Sequence, residues 1–110
     1  MTTRERQSIF AVNFAKLILH AESLGYDVTL GEVLRTNEQQ ELYIKSGKSK
    51  TRNSQHLKKL AGDLNLFIDG EYQTGREPYK PLAEYWKTLH DDNLAGYDWG
   101  WDANHFEMKG

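Results

Sequence analysis

Apolar positions set out most of the elements. From Thr3 to Leu24 they recur at Phe10, Phe14, Leu17, Ile18, Ala21 and Leu24, a single stripe at helical spacing. Thr2 and Glu5 form a capping-box pattern ahead of that stripe, and Gly25 stands where a helix-ending glycine belongs. A shorter helix is predicted from about Asn37 to Ser46, opened by Thr36-x-x-Gln39 and stopped by Gly47. A third follows Pro81, with Leu82, Tyr85, Trp86 and Leu89 on one face. Tyr26 to Leu34, Ala61 to Ile68 and Asn104 to Met108 have strand character, and "DGEY" after Ile68 predicts a tight turn into a short partner strand around Tyr72. No repeat, low-complexity stretch or linker interrupts this order. The reading is α+β: a small, mostly antiparallel sheet flanked by about three helices.

Alternation within the strands then sorts side chains by face. If 61–68 is extended, Leu64, Leu66 and Ile68 share the core side, and Asp63 points the other way with Ala61 and Asn65. In "NHFEM", Phe106 and Met108 take the core side and leave His105 and Glu107 opposite. Two strands thus each present a potential metal ligand on the face away from the core, and a register slip of one residue would reverse the assignment. His56, seven residues before Asp63 in "SQHLKKLAGD", supplies a second imidazole. Two histidines and one carboxylate suit zinc with a fourth position left to water.

Composition narrows the chemistry. At 110 residues the chain is expected to be one domain with a modest core. It has no cysteine, which excludes thiolate zinc sites and thiol catalysis. A net charge of −2, with 27% charged residues, describes an ordinary water-facing protein and leaves no apolar run for a membrane span. "MTTRERQSIF" is not followed by the apolar run of roughly 7–15 residues that a secretory signal needs, so the chain is expected to be cytoplasmic when made.

Hydrolysis at a metal needs a base, and Asp102, three residues before His105, is the candidate. In a continuous strand its parity would be wrong, so "DAN" must turn, which Asp and Asn favour. Arg35 is the candidate electrophile, a permanently charged fork for a substrate carboxylate or a developing oxyanion.

The set also resembles a known family. "SQHLKKLAGD" is similar to the S-x-H-x-x-G-x-A-x-D motif of the zinc D-alanyl-D-alanine carboxypeptidases and dipeptidases, a family that includes phage endolysins cutting the L-alanyl-D-glutamate bond of peptidoglycan. "DANHFE" resembles its second motif and "LRTNEQQELY" its arginine-then-glutamine element, while residues 4–36 look like the front of the short phage members. The resemblance implies His56, Asp63 and His105 as ligands of one zinc per chain, and Asp102 as general base. It places Arg35 on the scissile carbonyl or a substrate carboxylate, Ser54 on the substrate backbone, and Gln40 behind them in support. The implied fold is the small sheet-and-helix architecture shared with the Hedgehog signalling domain. Lys59 stands where the motif has glycine and Gly62 at its free position, a departure that bears on the local backbone. An aspartate base, in place of the glutamate of the vancomycin-resistance dipeptidases, favours the endolysin branch.

The expected activity is therefore hydrolysis of a peptidoglycan stem peptide by a monomer, at the cell wall after release from the cell. A D,D- or L,D-carboxypeptidase and a catalytically inactive binding member of the fold are the alternatives. The stretch Lys45 to Lys59 is basic and flanks the proposed site; near-neutral total charge and the lack of interleaved aromatics there argue against nucleic acid. His20 and His90 read as surface residues. Trp99 and Trp101 are divided evenly between packing and lining the cleft.

Overall fold

The computed structural model describes residues 1–33 and 55–110, the side chain of His56 excepted. Helix α1 runs Thr3–Ser23 and is opened by the expected capping box, with Thr2 accepting from the Glu5 amide while Glu5 accepts from the Thr2 amide. It ends at Leu24, followed by Gly25 in the left-handed conformation (φ 83°). Helix α2, Lys80–Leu89, starts one residue before Pro81, where the missing amide donor costs nothing. The expected helix at Asn37 to Ser46 lies outside the described residues.

Five strands follow the order β1-β2-β5-β4, with β3 also on β2, and every pairing is antiparallel. They are β1 (Asp27–Leu30), β2 (Ala61–Ile68), β3 (Glu71–Tyr72), β4 (Asn93–Ala95) and β5 (His105–Met108). Asp69 and Gly70 both adopt positive φ, 53° and 79°, as the tight turn between β2 and β3 requires. β1 is shorter than the expected Tyr26 to Leu34, of which the last residue is outside the described part. β4 is an element the hydrophobic pattern did not reveal.

Both helices cover one face of the sheet. Phe10 stacks on Phe14 at 5.3 Å, and Trp86 of α2 meets Phe10, Phe14 and Phe106 edge-on. Leu64, Leu66, Phe106 and Met108 are fully buried beneath them, so the parity reading of β2 and β5 holds. Ala61, expected on the far side with Asp63, is buried as well. Gly62 has a steric reason: a Cβ there would lie 2.6 Å from the Phe14 ring. The Trp86 indole N–H is shared between the carbonyls of Leu94 and Glu107, which ties α2 to both β4 and β5.

One edge of β2 carries two partners. β5 pairs with residues 61–63 and β3 with 67–68, leaving a gap between them. There the Leu64 amide donates to the Asn104 carbonyl (2.9 Å) and the Leu66 amide to the Tyr79 hydroxyl (3.2 Å). Ladder donors that would otherwise be orphaned are thereby satisfied. The gap marks the side of the sheet where the candidate site and its neighbouring cavity lie.

Candidate functional site

Asp63 and His105 are direct partners in the β2–β5 register, on the face away from the helices. Side chains opposite each other on one face of an antiparallel pair lie within reach, and here His105 Nδ1 is 3.1 Å from Asp63 Oδ1. The turn anticipated at "DAN" is present: the His105 amide donates to the Asp102 carbonyl at 3.0 Å. It brings Asp102 Oδ2 to 3.9 Å from the same Nδ1, although a continuous strand would have turned Asp102 away. Gly96 makes that approach possible, because a Cβ at this position would overlap the Asp102 carbonyl oxygen and press on His105.

The other ring nitrogen belongs to Glu107. Its Oε1 lies 2.8 Å from His105 Nε2, so the imidazole is held along its length between two carboxylates. Trp99 closes one side, its ring centroid 5.2 Å from that of His105. His105 is consequently buried, 6% exposed, where face parity alone gave only its direction. Burial pulls its pKa down. Hydrogen bonds to Asp63 and Glu107, with the charges of Asp63 and Asp102, more than offset that and push it up to about 9.

Three carboxylates around one buried imidazole form a nest that favours a cation, which in the metal-free protein is the imidazolium itself. The donor set fits a divalent metal in its place: a carboxylate oxygen from Asp63 and an imidazole nitrogen from His105, borderline ligands of the kind zinc takes. Among the described residues no three of these side chains are placed so as to hold one metal ion together. The expected third ligand, His56, has its backbone in a single 3₁₀ turn, Gln55–Lys58, whose end is pinned by Leu60 N–H donating to Gln55 O at 3.0 Å. Its side chain lies outside the described part, as do Arg35, Gln40 and Ser54.

That 3₁₀ turn runs into β2 through Lys59, which adopts φ 59°. This is the left-handed region, where a side chain is strained and glycine is not, at the position where the motif it resembles has glycine.

Glu107 is the site residue whose part sequence reasoning missed. Parity put it on the right face, but neighbours two apart on one strand face start roughly 7 Å from each other, and parity does not say whether their side chains meet. Trp99 proves to touch the site. Trp101, 77% exposed, stands at the rim of an adjoining cavity. His20 and His90 are half-buried and structural: His20 stacks on Tyr85 at 4.0 Å, and His90 Nδ1 accepts the Asp92 amide.

No family model and no curated sequence matches the chain. Among solved structures, the L-Ala D-Glu endopeptidase ChiX of Serratia marcescens superposes with a TM-score of 0.65 at 23% identity. The match covers 74% of this chain and 66% of that one, so the chain spans just under two thirds of ChiX. The protein therefore has the fold of that endopeptidase, which bears out, at the level of fold, the resemblance carried by the motifs around His56 and His105.

Proposed function

We propose that the protein is a zinc-dependent peptidase hydrolysing an amide bond of peptidoglycan stem peptides, the L-alanyl-D-glutamate bond in particular. The observation that carries this reading is the convergence of Asp63, Asp102 and Glu107 on the buried His105 ring. The fold shared with ChiX supports it.

In this reading His56, Asp63 and His105 hold the metal. Glu107 accepts the Nε2–H of His105, fixing the tautomer that leaves Nδ1, on the side of Asp63 and Asp102, as the ligating nitrogen. Zinc, when bound, supplies a Lewis acid for the amide carbonyl and acidifies water. Asp102 takes the proton from the attacking water and returns it to the leaving amine nitrogen, the two halves of general acid–base catalysis. Arg35 steadies the negative charge that develops on the carbonyl oxygen, Ser54 bonds the substrate backbone, and Gln40 supports them. Trp99 keeps water from the far side of the His105 ring.

Metal analysis tests the core of this reading. The purified, zinc-reconstituted protein should hold about one zinc per chain, as expected for a three-ligand site. His105→Ala should abolish that stoichiometry. A wild-type protein that retains no zinc after reconstitution would contradict it.

A further inference from the structure

Beside the carboxylate nest, at the gap between β3 and β5, lies a cavity of about 370 Å³. Its walls include Tyr72, Gln73, Arg76, Tyr79, Trp101 and Asn104. It continues the face that carries Asp63. Along β2 that face runs Asp63, Asn65, Phe67; the Asn104 side chain bonds Asn65 (3.4 Å), and Tyr72 packs its ring against Phe67 (5.5 Å). Ala103 and Asn104, which also line the cavity, stand between Asp102 and His105 in the chain, so the cavity adjoins the candidate site.

Among the described residues, Arg76 is the only charged side chain lining it. The guanidinium is already positioned: Nη2 donates to the Tyr97 carbonyl at 2.7 Å, and the group lies 4.1 Å from the centroid of the Tyr97 ring. These contacts use one N–H and one face of a five-donor group. The ion pairs of the described residues engage Arg6, Lys87, His90 and His105, not Arg76. The nearest acid in sequence, Glu77, accepts instead from the Tyr97 hydroxyl. A planar guanidinium held in place on a residue that lines a cavity suits a carboxylate, which it can grip with two parallel bonds.

We propose that this cavity is a specificity subsite in which Arg76 binds a carboxylate of the peptide substrate, with Trp101 closing over the peptide. The inference rests on the peptidase reading for the nature of the ligand. It also answers a charge problem, since Asp63, Asp102 and Glu107 repel an acidic peptide and a cation beside them restores complementarity.

The test uses two synthetic probes, an L-alanyl-D-glutamyl peptide with its free glutamyl carboxylate and the same peptide with that group converted to the amide. Cleavage by the zinc-loaded protein and quenching of tryptophan fluorescence are both measured. The carboxylate peptide should be preferred by about 10-fold in kcat/KM, mostly through KM, as a charge-assisted hydrogen bond supports. Arg76→Gln should erase the preference by lowering kcat/KM for the carboxylate peptide to the level of the amide peptide, with unchanged zinc content. Arg76→Lys should restore part of it. A preference that survives Arg76→Gln, or a wild type that does not discriminate, overturns the subsite. Arg76→Gln lowering only the melting temperature would make Arg76 a strut for Tyr97 and overturn it equally. If neither peptide is cleaved but binding favours the carboxylate in an Arg76-dependent way, the subsite stands and the hydrolase reading falls.

Discussion

His105 and Glu107, two residues apart on one strand, are joined through Nε2 and Oε1 at 2.8 Å, and this contact leaves the opposite ring nitrogen turned toward Asp63. A carboxylate behind a ligating histidine orients the ring and raises its basicity. Glu107→Ala should therefore weaken zinc binding by about 10–100-fold while leaving the fold intact. Competition with a chelator of known affinity measures this; unchanged affinity would remove Glu107 from the site.

In the proposed mechanism Asp102 stands apart from that pair as proton carrier. Asp102→Asn should keep zinc and melting temperature and lose roughly 10²-fold or more in kcat, the usual contribution of a general base. Near-normal turnover in this variant would assign the proton to another group, with Glu107 next to examine.

The metal-free protein should be sensitive to pH through the same ring. His105 is raised from 6.5 to about 9 by the groups facing it: Asp63 on β2, Glu107 on β5 and Asp102 on the preceding turn. A raised folded-state pKa adds stability that is complete below 6.5 and is lost as pH climbs through about 9. The change should be on the order of 3 kcal/mol. Urea titrations of zinc-free protein between these limits should show it, and His105→Gln should remove it. Zinc affinity should rise over the same interval as the competing proton leaves.

Legibility followed the range of the physical signal. Most of β2 was readable because Leu64 and Leu66 alternate with Asp63 and Asn65, Ala61 being the exception, and α1 because its capping box and glycine stop are local. β4 escaped because three residues, Asn93–Ala95, carry no period; their pairing with β5 and the bond from Asn93 Nδ2 to the Trp86 carbonyl hold them. Within the site, the meeting of Asp63 and His105 was foreseeable from parity, and the turn at Asp102 from its composition. The clearance that Gly96 gives to Asp102 depends on chain packing and has no local trace.

The lysine in the left-handed position gives a separate check. A side chain at φ 59° costs about 1–2 kcal/mol, and glycine recovers that less its own loss of chain entropy. Lys59→Gly should thus raise stability by up to about 1 kcal/mol, seen as a melting temperature a few degrees higher, with activity retained. Destabilisation would show that the Lys59 side chain contributes more than its backbone costs.

Mass spectrometry of purified muropeptides after digestion bears most directly on the proposed activity. With zinc-reconstituted protein, the L-alanyl-D-glutamate bond should open, giving fragments with a new amino terminus at D-glutamate, and a chelator or Asp102→Asn should suppress them. Loss of a terminal D-alanine alone would make the enzyme a carboxypeptidase. Muropeptides unchanged by zinc-loaded wild-type protein would contradict the assignment of this site to peptidoglycan hydrolysis.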